Sequence, residues 1–148
     1  MRAGLVLLAL PSAVIAAWSL VAPRSFYDDF PGGGRHWVSA LPPYNEHLVR
    51  DFGAASLAIV VFLIAAAILL ERRIVQVALI AFIAYSIPHF VYHLTTTGHY
   101  SSSDNVASLG GFVVTMALAI ALLFRSGATG ASAARPADAP SPSRSSRS

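Results

Sequence analysis

Four stretches of the chain, about residues 3–22, 52–70, 74–94 and 106–124, contain no Asp, Glu, Lys or Arg and are almost wholly apolar. Each approaches the ~20 residues that a helix, rising 1.5 Å per residue, needs to cross a ~30 Å hydrocarbon core. No water reaches the backbone inside lipid, so such runs must satisfy their own amides as helices; barrel strands would be shorter and alternating. With their polar first turns included, the spans are expected at about 3–22, 48–70, 74–94 and 105–124, within a transmembrane domain of residues 1–125. The fold class expected is all-α, a polytopic membrane four-helix bundle. Composition agrees: 55% of the 148 residues are apolar and 11% charged, and the mean hydropathy of +0.63 is too high for a water-soluble domain of this size.

Arginine sets the expected orientation, because basic residues are retained on the cytoplasmic side. Arg2, Arg72, Arg73, Arg125, Arg135, Arg144 and Arg147 fall on one side of the four crossings, and Arg24, Arg35 and Arg50 on the other. Both termini are therefore expected in the cytoplasm of a multi-pass inner-membrane protein. Its partners are then the lipid bilayer and, beyond it, a membrane-protein partner or further copies of the chain. A cleaved signal peptide is the alternative reading of the first run, but that run is longer than a usual signal core. Residues 126–148, made mostly of Ser, Ala, Pro, Gly and Arg, cannot bury enough surface to offset ordering and are expected to be a disordered tail. The absence of Cys excludes thiolate metal sites and thiol catalysis. No basic face recurs along an element, so nucleic acid is not an expected partner.

The chemistry collects on the expected outer side. All five His lie there: His36 in the first loop, His47 at the start of span two, His89 and His93 near the end of span three, and His99 in the second loop. Glu46 and Arg50 are an i,i+4 pair, as are His47 and Asp51, so the four form one broad face of span two's first turns. Tyr85, His89, Tyr92 and His93 share one quadrant of span three, with Pro88 removing a backbone donor just before His89. Asp104, Ser108, Gly111 and Thr115 make a polar and small stripe on span four, where Ser103 or Asp104 suits the N-cap. Ionisable groups at membrane depth seldom face lipid, so the three stripes are expected to converge.

The ligand-binding set read from this pattern is Glu46, His47, Arg50, Asp51, Tyr85, His89, Tyr92 and His93. Arg50 suits an anionic group and the imidazoles and phenols suit hydrogen bonding, so a small anionic or lipid-like ligand is expected. His89 and His93 also have the spacing at which one helix face offers two imidazoles to a divalent metal, with His47 as a third ligand. A bland reading stands beside this one: Arg50 and Asp51 merely fix span two against its neighbours. The first outer loop, about 25 residues with Phe26, Tyr27, Phe30, Trp37 and Tyr44, is expected to be ordered, as a lid or as an interfacial anchor. Pro31-Gly32-Gly33-Gly34 supplies its turn. No His-Glu-x-x-His, Gly-x-Ser-x-Gly or phosphate-cradling loop is present, so the residues point to a binding protein more than to an enzyme.

At VRDFGAASLAIVVFLIAAA (49–67) and YSIPHFVYHL (85–94) the chain resembles the small four-helix membrane proteins of the DoxX-like superfamily, with Arg50 and Gly53 as the best matches and an actinobacterial-type subgroup suggested by Arg without Lys. The resemblance implies the same four-helix fold and admits a quinone as ligand. It carries over no redox role, since no Cys or cofactor motif accompanies it. Two further functions remain open: an accessory subunit of a membrane complex, and a quinone-linked oxidoreductase subunit.

Overall fold

A computed structural model describes residues 1–132 of the chain. Its elements are α1 (Arg2–Val21), α2 (Pro23–Asp29), a two-stranded antiparallel ribbon of β1 (Pro31–Gly32) and β2 (Arg35–His36), α3 (Glu46–Leu69), α4 (Arg72–Thr95), a 3-10 turn (Thr97–His99) and α5 (Ser102–Ser132). The chain is an all-α helical bundle, and α1, α3, α4 and α5 are each long and apolar enough to cross a membrane. Bulky apolar side chains stand exposed around its flanks, among them Leu7, Val14, Ile68, Val77, Val114 and Phe124. Such a surface suits hydrocarbon and not water. The ribbon in the first loop is the only strand structure among the described residues.

The most extensive packing is between the antiparallel α1 and α3; α4 packs on α3 and α5, and α5 returns lightly to α1. One end of the bundle, the terminal end, holds the start of α1, the α3–α4 link and the lower part of α5. The loop end holds the first loop and the α4–α5 connection. The tight core, with Leu5, Leu8, Leu63, Ala66, Val75, Ala78, Leu79 and Ala119 almost wholly buried, lies toward the terminal end. Its many alanines let the helices approach closely.

Gly53 marks the closest approach of α1 and α3, where a Cβ would lie 2.5 Å from Ser19 Oγ and 2.9 Å from Leu20 Cγ. Gly4 does the same between α1 and α5, where a Cβ would lie 2.8 Å from Leu122 Cδ1. Both ends of the α1–α3 pair are closed by arginine. Arg50 on the first turns of α3 donates from a terminal guanidinium nitrogen to the Leu20 carbonyl at 2.6 Å. Arg2 donates through Nε to the Ala67 carbonyl at 2.8 Å. Each therefore satisfies a carbonyl that its partner helix leaves open at its C-terminus.

Local capping explains the observed boundaries. Asn45 accepts from the Leu48 amide at 3.2 Å and starts α3 two residues before the expected span; Leu70 ends it in the left-handed region at φ 53. Ser101, not Ser103 or Asp104, caps α5, accepting from the Asp104 amide at 3.1 Å. The expected break after residue 125 does not occur, because α5 stays helical through Ser132, with Ser126 buried and donating to the Leu123 carbonyl at 2.7 Å. The remainder of the expected tail, 133–148, lies outside the described residues. Leu5 and Leu8 place α1 in the core of the bundle.

Gly53→Val should destabilise the bundle by about 1–3 kcal/mol through overpacking against Ser19 and Leu20. The check is a lowered thermal midpoint in detergent, with Gly110→Ala as a control at a position where a Cβ meets nothing within 4 Å.

Candidate functional site

Above the tight core the helices enclose a cavity of about 560 Å³ at the loop end. Its floor is apolar, with Leu8, Ile59 and Phe82; its walls carry Pro11, Ser12 and Ile15 from α1, Phe52 and Ser56 from α3, Tyr85, Ser86, His89, Tyr92 and His93 from α4, and Ser108, Gly111, Phe112 and Thr115 from α5. Phe26, Phe30, Trp37, Val38, Leu41 and Tyr100 close it from the loops. No Asp, Glu, Lys or Arg lines it.

Four polar side chains in the wall pair with one another, while Ser12, Ser108 and Thr115 donate to carbonyls of their own helices. His89 and His93, one turn apart on α4, approach Nε2 to Nε2 at 3.2 Å. One ring must donate its N–H to the bare nitrogen of the other, so at least one imidazole is neutral in this arrangement. Deeper, the Ser56 and Tyr85 hydroxyls share a 2.9 Å hydrogen bond. Counting 1.5 Å per residue from Thr95, the imidazoles lie about 3–9 Å and Tyr85 about 15 Å below the end of α4. Rings frame the pair: His89 meets Phe112 at 4.9 Å and Phe52 at 5.6 Å between centroids, and His93 meets Phe112 at 5.3 Å and Tyr100 at 6.2 Å.

The first loop is an ordered lid. The Gly33-Gly34 pair between β1 and β2 has φ of 65° and 77°, the geometry of a tight two-residue hairpin turn that glycine adopts without steric cost. The ribbon reaches across to α5, where one carboxylate oxygen of Asp104 accepts from Arg35 at 2.9 Å and from Trp37 Nε1 at 2.8 Å. Its other oxygen accepts from Ser101 Oγ at 2.6 Å. Tyr100 donates its hydroxyl to the Trp37 carbonyl at 2.9 Å. Burial, with Tyr92 nearby, raises the Tyr100 hydroxyl above its ordinary pKa, so it remains a neutral donor. His36 donates from Nδ1 to the Asp28 carbonyl at 2.6 Å, and the Trp37 amide donates to the Phe30 carbonyl at 2.8 Å. Farther out, Arg24 bonds Asp28 at 2.7 Å and lies over the Tyr44 ring at 5.0 Å.

Four of the eight expected ligand-binding residues, Tyr85, His89, Tyr92 and His93, line this cavity. Glu46, His47, Arg50 and Asp51 do not. Arg50 bonds Glu46 at 2.9 Å as well as Leu20, on the side of α3 that also carries Gly53. His47 bonds Asp51 at 3.2 Å with 87% and 61% of the side chains exposed, at the head of a stripe continued by exposed Ala54 and Ala58. These four side chains are largely exposed at the start of α3 and pair with one another, so they reach neither the cavity nor the core. The metal set of His47, His89 and His93 likewise does not assemble. Among the described residues, no group of three or more His, Asp or Glu side chains is placed to hold an ion.

α3 instead offers Phe52 and Ser56. Ser56 is the single polar side chain in 52–70, and that isolation was the available signal for it. Asp104 serves the lid and stands above the cavity that Ser108, Gly111 and Thr115 line. No known protein family, curated protein or solved structure matches the chain.

Removing the shared acceptor in Asp104→Ala should free the lid by breaking its bonds to Arg35 and Trp37 together. The expected result is faster amide hydrogen exchange confined to 30–41 and a red-shifted Trp37 emission, with the unfolding midpoint of the bundle little changed.

Proposed function

We propose that this is a multi-pass protein of the bacterial inner membrane, with both termini cytoplasmic, that binds an uncharged amphiphilic small molecule in its outward-facing cavity. Of the described arginines, Arg2, Arg72, Arg73 and Arg125 belong to the terminal end and Arg24, Arg35 and Arg50 to the loop end, which supports the orientation. The observation that carries the binding reading is a cavity of ligand size whose wall combines rings, hydroxyls and a histidine pair with no charged group. Such pockets hold apolar bodies and orient them by a few placed hydrogen bonds. An anion would enter without a counter-charge, since Arg50 is already committed to Glu46 and the Leu20 carbonyl. A lipid-like molecule with a carbonyl or hydroxyl head fits: the imidazole pair and Tyr85 can donate to it or accept from it, and Phe52 and Phe112 can flank it. A quinone, the ligand admitted by the DoxX-like resemblance, belongs to this chemical class. Two imidazoles fall short of the three protein ligands of open zinc sites, so a metal is the weaker alternative.

The test is extraction and mass spectrometry of small molecules that co-purify with the protein. A neutral lipophile is expected with the parent chain, and His89→Phe should lower its occupancy about tenfold, the effect of losing roughly 1.4 kcal/mol of hydrogen bonding. Chelator treatment should leave the occupancy unchanged. An empty protein, or an anionic species retained equally by His89→Phe, would overturn the reading.

Orientation has its own check, made simple by the absence of Cys from the chain. A cysteine placed at Ser39 should react with a membrane-impermeant thiol reagent in intact cells, and one placed at Glu71 should not.

A further inference from the structure

We infer that the cavity is loaded sideways, from the outer leaflet through a gap between α1 and α5, and that its ligand is therefore a membrane-dissolved, uncharged lipid with a hydrogen-bonding head. This rests on the binding reading above and adds the ligand's source and route. The two helices touch at the terminal end, where Gly4 admits Leu122 and where Leu5 and Leu8 share a core with Ala119. About 12 Å higher, at 1.5 Å per residue, Ser12 on the rising α1 and Thr115 on the descending α5 reach a common level. Both line the cavity there. One turn above Thr115, a Cβ on Gly111 would meet no atom within 4 Å. Pro11 and Gly111 line the cavity and are also exposed, so the same positions face inward and outward.

Neither lip bears a charge. Pro11 and Ser12 stand on one side, with Ser108, Gly111 and Thr115 on the other, and small or hydroxylated side chains let an apolar body pass without stranding an ion in lipid. The route from water is closed by comparison. The ribbon is tied over the top through Arg35 and Trp37 to Asp104, and through the Tyr100 hydroxyl to the Trp37 carbonyl. A water-borne ligand must break these bonds, whereas a lipid-borne one need not.

The chain's two tryptophans make the route measurable. With Trp18→Phe, Trp37 in the cavity wall is the sole indole. The protein in phosphatidylcholine vesicles is mixed rapidly with vesicles carrying a monoacylglycerol whose chain is dibrominated, and quenching of Trp37 is followed. Quenching is expected, and Gly111→Leu and Ser12→Leu should each slow about tenfold the approach to whatever final level that variant reaches, since a barrier of ~1.4 kcal/mol per tenfold is added to passage. Val114→Leu, on the lipid-facing side of α5, should match the parent. Lateral loading is overturned if neither lip variant alters the rate while Asp104→Ala accelerates it. It is overturned too if the lip variants lower the final level at unchanged rate, which marks a filled cavity and not a narrowed route. Absence of quenching in the parent would instead overturn the binding reading itself.

Discussion

The fold depends first on how the α1–α3 pair closes its own ends. Every helix leaves its last carbonyls without intrahelical donors, and in or near lipid no water reliably replaces them. Here each helix supplies the missing donor for the other: Arg50 from the start of α3 bonds Leu20 near the end of α1, and Arg2 from the start of α1 bonds Ala67 near the end of α3. The guanidinium charge also opposes the negative end of the helix dipole it meets. Two such closures at opposite ends fix the register of the pair, and Gly53 fixes its separation by admitting Ser19 and Leu20. This rigid wall decides what the other helices can do. α4 packs on α3 and α5 on α4, while α5 meets α1 mainly near Gly4, so the bundle is tight at one end and parted at the other.

That splay separates charge from cavity. The pairs Glu46–Arg50, His47–Asp51 and Arg24–Asp28 are solvent-facing i,i+4 contacts that add little to stability. Moved into the cavity, the same groups would meet desolvation of several kcal/mol per ion. Neutral donors and acceptors meet a smaller cost there, and that cost is offset by pairing, as in His89–His93 and Ser56–Tyr85. A dense run of charges beside an apolar span thus marks the water boundary and the stapling of helix ends. The chemistry of the interior is carried by the sparse neutral groups farther along.

Hydropathy made the four spans legible in the sequence because the apolar runs are long and uncharged, and their observed ends differ by a few residues for local reasons such as the Asn45 and Ser101 caps. Helical periodicity placed Tyr85, His89, Tyr92 and His93 on one face, and Ser108, Gly111 and Thr115 on another, and both faces line the cavity. Periodicity could not say how α3 is rotated about its axis. That rotation is set by the fit of Gly53 against α1, which turns Glu46 and Arg50 toward α1, His47 and Asp51 outward, and Phe52 and Ser56 inward. Nor could it reveal that Asp104, read as a cap residue, accepts from a loop 69 and 67 residues earlier in sequence. Both failures concern tertiary placement, which local pattern does not encode.

α1 and α3 are the most intimately packed pair, yet the longest connection in the bundle joins them, while α3 and α4 are joined by Leu70 and Glu71 alone. Adjacent antiparallel helices need only a few residues between them, so the extra chain is not there for closure. It runs out past α1 as α2 and the ribbon, bonds to Asp104 at the head of α5, and returns to Asn45 at the start of α3. Phe26, Phe30 and Trp37 meet in ring contacts along that path, with Phe26 continuing to Phe52 at 5.9 Å. Tied at its far side to Asp104, this segment closes over the loop end of the cavity that the histidine pair lines.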